Sequence, residues 1–270
     1  MATVYFFKMR INKENFLIQV KYSDLFKDAR NIEKYFLGFG GELYLSAEEI
    51  KAYEPGIIDG IKSFVKNNRL PLRLHAPISR IDYSQVKDTT GYIEPLYREV
   101  IALCKVLNID NIVTHAEFNY HSDFPIDKQF ENAYFLWHTL CGQLKVAGIR
   151  LNIENHYEEE PGYLIMLMKK INSPYFGMCV DIGHSNAFSN LDMEKWLYEY
   201  PAGSIKEVHL ADNKGDGDTH LPLGGGNIDF TRFFEILSKR REACVFVLEP
   251  RDIKEAGEGL SYLRKRGIIE

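Results

Sequence analysis

Residues 177–184 read GMCVDIGH, and this stretch decides the fold. From Gly177 to Val180 every position is apolar, without the alternation of a half-exposed strand. Such a run fits a parallel strand covered on both faces. It ends on a carboxylate, Asp181, and His184 follows three residues later. In a barrel of parallel strands, the C-terminal strand ends converge on one mouth, where chemistry is done.

The same pattern recurs on both sides. Apolar runs at Leu72–Ala76, Asn111–His115, Arg150–Glu154, Ile205–Leu210 and Val245–Glu249 end at or beside His75, His115, Glu154, His209 and Glu249. The chain holds 38 acidic residues and eight histidines in 270, about one residue in six, so six such side chains at six successive strand ends are not a product of composition. Between the runs lie segments of helical period. Ile93, Leu96, Tyr97, Val100, Ile101, Cys104 and Leu107 form one apolar stripe; Phe130, Ala133, Tyr134, Trp137, Cys141 and Leu144 form another, stopped by Gly148. Further helices are expected at 162–170, 192–200, 230–240 and 254–266. These are six βα units from about residue 71 onward.

The first 70 residues should supply two more. Glu42–Leu45 reads as the second strand, with a helix over Ile57–Lys66. The first strand is placed at Val4–Met9, although Asn15–Tyr22 also alternates and an N-terminal hairpin is a further option. No linker or repeat divides the chain, so residues 1–270 read as a single α/β domain, a (β/α)₈ TIM barrel, for which 270 residues is the usual size.

Bulk properties agree. With 45% hydrophobic and 26% charged residues, a large core is available and disorder is not expected. A net charge of −5 gives no basic footprint for nucleic acid. The N-terminus lacks the apolar segment of a signal peptide, and no apolar run is long enough to cross a bilayer. Cys104, Cys141, Cys179 and Cys244 lie in apolar stretches without a CxxC pair, which fits buried thiols in a reducing, cytoplasmic setting rather than a zinc finger or disulfide framework.

Taken singly, each strand-end residue has a structural reading: a hydrogen-bonded histidine, or a glutamate paired with arginine. Taken together, and with His184, Asp218 and His220 in the following loops, nine ligand-type side chains share one cavity. Their carboxylates would repel one another there, and a divalent cation removes that cost. His121 and His138 read as structural or solvated. His156, beside Glu154 in ENH, reads either as structural or as a substrate contact. Gly224–Gly226, in a loop leading into a helix, form either an anion-holding turn or a plain loop.

The ordered motifs HAP, THAE, NIEN, VDIGH, VHLADN, DTHLPLGGGNID and LEP, over residues 70–250, resemble the xylose isomerase-like superfamily. This superfamily contains sugar isomerases and epimerases and the endonuclease IV family. The epimerase-type relatives imply one ion, often Mn²⁺, held by Glu154, Asp181, His209 and Glu249, with the two glutamates as catalytic acid and base. The endonuclease type implies three zinc ions: one on His75, His115 and Glu154, one on Glu154, Asp181, His209 and Glu249, and one on His184, Asp218 and His220. DIGHSN and the glycine motif resemble the sugar isomerase branch, and the stretch after the second strand, LSAEEIKAYEPGIID, is acidic where a DNA-binding loop needs Lys and Arg. The expectation is therefore a metal-dependent isomerase or epimerase with one to three Mn²⁺ or Zn²⁺ ions. Its small sugar substrate would exchange a proton next to a carbonyl through a metal-stabilised enediolate. His184, Asn155 and His156 are expected near the substrate, with Asn155 and Asp212 as supports for the ligands. The alternative is an abasic-site phosphodiesterase.

Overall fold

A computed structural model describes residues 9–77 and 81–270. Eight parallel strands close into a barrel in sequence order: β1 (Phe16–Lys21), β2 (Gly40–Tyr44), β3 (Leu72–His75), β4 (Asn111–His115), β5 (Arg150–Glu154), β6 (Phe176–Asp181), β7 (Ile205–Leu210) and β8 (Val245–Leu248). β1 pairs with both β2 and β8, which completes the ring. The expected Val4–Met9 strand falls mostly outside the described residues, and the first barrel strand is the alternative segment. β2 begins earlier than expected because Gly40 and Gly41 belong to it. A Cβ on Gly41 would lie 2.3 Å from the Phe36 ring, and one on Gly40 would lie 2.5 Å from Leu17 and Pro71.

Helices cover the barrel where the apolar stripes place them. The two long stripes become helices Val86–Leu107 and Ile126–Val146, whose inner faces bury Tyr97, Leu103, Leu136 and Trp137 against the strands. Each such large side chain contributes roughly 1.5–3 kcal/mol by leaving water. Asp192, Asp229 and Asp252 cap later helices by accepting backbone N–H bonds of 2.8–3.0 Å. The acidic stretch after β2 is a capped turn of helix, Ala47–Lys51, closed by reciprocal Ser46 and Glu49 bonds. No helix among the described residues is long and apolar enough to cross a membrane.

Inside the barrel, below the strand ends, the packing is polar. Arg73 Nη1 sits 2.7 Å from Glu207, and Asn152 donates to both Glu207 and Asn111 at 2.8 and 3.1 Å. This tier forms a floor beneath the mouth.

Candidate active site at the barrel mouth

β3 to β7 bring His75, His115, Glu154, Asp181 and His209 to one mouth, and Glu249 follows β8 directly. None of the six is more than 4% exposed. His115 and Glu154 are register partners, as are Asp181 and His209. Glu154 is the hub. One oxygen lies 3.1 Å from His75 Nε2 and 3.3 Å from His115 Nε2; the other lies 3.2 Å from His209 Nδ1 and 3.3 Å from His184 Nδ1. His209 Nδ1 is also 2.9 Å from Glu249. Asp218 and His220 reach the rim from the following loop, 3.0 Å apart and about a quarter exposed, with Asp218 3.4 Å from His184 Nε2.

The proton positions follow from these contacts. His75 Nδ1 lies 3.0 Å from the Ala76 carbonyl, His184 Nδ1 2.8 Å from that of Asn155, and His220 Nδ1 3.2 Å from that of Glu249. A carbonyl only accepts, so these nitrogens carry hydrogen. In the neutral rings the three Nε2 atoms are then lone pairs, and each faces a carboxylate. Two acceptors at such distances require a proton or a cation between them. Backbone-anchored imidazoles aimed at carboxylates are the arrangement that orients histidine toward a metal. Asp181 adds to this. One of its oxygens accepts the His184 N–H and caps helix Ile182–Phe188; the other is buried with no hydrogen-bond partner. A buried oxygen of this kind is costly unless something positive meets it.

The electrostatics agree. Burial pushes the Asp181 carboxyl up to about 7. Burial would also raise Glu249, but His209 holds it down at about 2. Burial would lower His115, yet the charge of Glu154 lifts it to about 9, and His220 rises to about 9 through its bond to Asp218. Without an ion, protons on histidine balance the carboxylates; a divalent cation would take their place. Donor atoms of His75, Glu154, His209 and Glu249 lie within 4.8 Å of one another, as do those of His115, Glu154 and His184, and those of His156, His184 and Asp218. The residues present therefore fit a divalent cation. All nine expected ligands are at the mouth, although the group of four whose donor atoms lie within 4.8 Å of one another contains His75 rather than Asp181.

The expected supporting residues take distinct places. Asn155 spends both ends of its amide on the Asp181 backbone, at 2.9 Å each, which steadies the β6 end and keeps Asn155 off the cavity wall. His156 borders the cavity, with ring centroids 4.3 Å from His115 and 4.7 Å from His184. Asp212 resolves the glycine turn: its carboxylate accepts from Gly224 and Gly226 N at 2.9 Å and from Ile228 N at 3.3 Å. The turn's N–H groups hold this side chain, so they do not form a free anion cradle.

Glu117 was not singled out from sequence. It has a left-handed backbone (φ 61°), uncommon for glutamate, and one oxygen lies 3.3 Å from His115 Nδ1 and 3.1 Å from His156 Nδ1. By receiving both Nδ1–H bonds it turns the His115 Nε2 lone pair toward Glu154. The cavity above the cluster, about 340 Å³, is also bordered by Gln19, Lys21, Tyr44, Glu249 and Arg251.

The chain belongs to the xylose isomerase-like TIM barrel family, whose model matches residues 38–266. Among individual proteins, an uncharacterized protein of Methanocaldococcus jannaschii is 27% identical over 209 residues, 71% of this chain and 68% of its own length. The L-ribulose-5-phosphate 3-epimerase UlaE of Escherichia coli is 33% identical over 79 residues, 29% of this chain and 27% of the enzyme. A solved D-tagatose 3-epimerase-like protein superposes with a TM-score of 0.76 at 21% identity, covering 93% of this chain and 96% of its own. That likeness is one of fold.

Proposed function

We propose that this chain is an isomerase or epimerase of a sugar or sugar phosphate that depends on Mn²⁺ or Zn²⁺ and moves a proton at the carbon beside a carbonyl. The observation that carries this reading is the pair Glu154 and Glu249, two enclosed carboxylates meeting at His209 Nδ1 next to a cavity of about 340 Å³. Glu154, Asp181, His209 and Glu249 would hold one ion with His75 alongside; His115, His184, Asp218 and His220 would hold any further ions. A bound divalent cation supplies polarisation of the substrate carbonyl and balances the negative charge that develops there. Glu249 borders the cavity and is placed to exchange a proton with the substrate carbon, and Glu154 is the second member of the acid–base pair. His184 and His156 face the cavity and can position substrate hydroxyl groups. The relatives named as sugar 3-epimerases support this class.

The abasic-site nuclease reading has one observation in its favour, the presence of all nine ligand-type residues at the mouth. Against it stand the small cavity and the acidic residues Glu48, Glu49 and Glu54 after β2. A DNA-binding rim needs several cations to meet successive phosphates along the strand, where one phosphate ester needs only one. The deciding experiment is deuterium exchange from solvent into the carbon-bound position of a panel of ketoses and their phosphates. A glutamic acid that has taken the proton trades it with water before returning it. Exchange is expected in at least one sugar. Incision of an abasic duplex with no exchange in any sugar overturns the reading, and three tightly bound zinc ions would accompany that outcome.

A further inference from the structure

Two strands deliver neither an imidazole nor a carboxylate at or beside their ends, although Glu42 within β2 reaches His209 Nε2 at 3.4 Å from below. β1 ends at Lys21 and β2 at Tyr44, and these two are register partners on neighbouring strands. Both are half-buried and both border the cavity. The Lys21 ammonium meets only the Arg251 carbonyl, at 3.4 Å, and has no carboxylate within 4 Å among the described residues. The acids around it are engaged elsewhere: Glu249 with His209 and Gln19, Asp24 with Lys27, and Glu255 with Arg251. The Tyr44 hydroxyl makes no hydrogen bond among the described residues, and burial and the nearby charges of Glu49, Glu249 and Glu48 keep it protonated as a donor, while its ring packs edge-on against His75 at 5.6 Å between centroids.

We propose that Lys21 and Tyr44 form an anion subsite that receives the phosphate of a phosphorylated ketose, so that the substrate is a sugar phosphate rather than a neutral sugar. This rests on the isomerase reading above. A neutral sugar filling the cavity would cover an ammonium and a hydroxyl and give neither a charged partner, a costly outcome for buried polar groups. A phosphate ester offers three acceptor oxygens and charge to both donors, and lysine serves such groups as a compact point charge. In a ring of eight strands β1 and β2 lie opposite β5 and β6, so the phosphate end would sit across the mouth from Glu154 and Asp181. The substrate's carbonyl end would then meet the metal ligands.

The test uses Mn²⁺-loaded protein and two unreactive polyols, ribitol 5-phosphate and ribitol, titrated by calorimetry. Neither has a carbonyl, so binding is read without turnover. The wild type is expected to bind the phosphate at least about tenfold more tightly than ribitol, on the scale of one charge-assisted bond. Lys21→Met should weaken ribitol 5-phosphate about tenfold to a hundredfold and leave ribitol unchanged, with Lys21→Arg recovering most of the loss. Tyr44→Phe should act in the same direction by a smaller factor. Equal wild-type affinity for the two polyols overturns the subsite, as does an equal loss for both in Lys21→Met. Tighter binding of ribonate than of ribitol 5-phosphate overturns the choice of phosphate. The two readings fail separately. If the polyols behave as expected but no sugar exchanges deuterium, the isomerase reading falls and the subsite stands. If a ketose and its phosphate exchange equally fast, the subsite falls and the isomerase reading stands.

Discussion

The mouth of the barrel has two unequal halves. β3 to β8 end in imidazoles and carboxylates that are enclosed, mutually bonded and fixed from behind by backbone carbonyls and Glu117. β1 and β2 end in a lysine and a tyrosine that are half open and bonded to almost nothing. The first half is organised by its own contacts, and a bound ion would relieve the cost of its buried carboxylates. The second half leaves its donors with few protein partners, and on the proposed reading a substrate would meet them. If the proposed roles hold, such a barrel divides reaction from recognition between arcs of the same ring, because each strand delivers one end residue with its own degree of enclosure.

The largest effect should come from the ligand arc. Glu154→Gln should lower turnover by about a thousandfold or more and reduce bound metal, read by mass spectrometry, because it removes an acid–base group and the hub of the cluster. Discrimination between ribitol 5-phosphate and ribitol should survive in this variant. If it disappears as well, the two arcs are not separable; if metal content and turnover are both unchanged, the ligand assignment is wrong.

A smaller loss should follow from Glu117→Gln. Without the carboxylate that fixes the His115 ring, metal affinity should fall by about tenfold to a hundredfold, the usual scale for a partner that orients a ligand. Calorimetric titration of metal-free protein with Mn²⁺ measures this directly. An unchanged affinity would mean that Glu117 merely shapes the loop.

The smallest effect concerns Glu158, buried beside the ligand arc and accepting the Phe118 and His156 backbone N–H groups. Burial pushes its carboxyl up to about 7, against a usual value of 4.5. Between those values the folded protein binds the proton more tightly than the unfolded chain, so this group makes stability fall as pH rises from 4.5 to 7. Glu158→Gln should remove on the order of 1–2 kcal/mol of that decline, seen as a smaller difference between urea midpoints at about pH 5 and pH 8. An unaltered decline would show that the cost of burial is met elsewhere.

The ligand arc was legible in sequence because each of its strands is an apolar run that stops at Asp, Glu or His, and each stop sits at the same point of a repeating unit. The donor arc was not, since Lys21 and Tyr44 follow ordinary strand sequence and are distinguished only by what fails to bond to them. β1 was ambiguous because two nearby segments alternate equally well. The start of β2 was hidden in Gly40 and Gly41, which carry no side chain to show a pattern and are required by the Phe36, Leu17 and Pro71 atoms packed against them. Glu117 lies just past a strand in a backbone conformation that glutamate seldom adopts. Asp212 could be read as a support, but its partners are backbone N–H groups, which leave no trace in sequence.

Asp212 also stands at a junction. Its backbone closes the 212–221 loop through paired bonds with Leu221, at 3.0 and 2.7 Å, while its carboxylate closes the glycine turn that follows. Asp218 and His220 ride inside the first of these loops, which is fastened at its base by backbone and at its tip by the contacts of these two side chains with Glu249 and His184. On the proposed reading, the number of ions such a mouth can hold would depend on the two residues that this one loop carries to the rim.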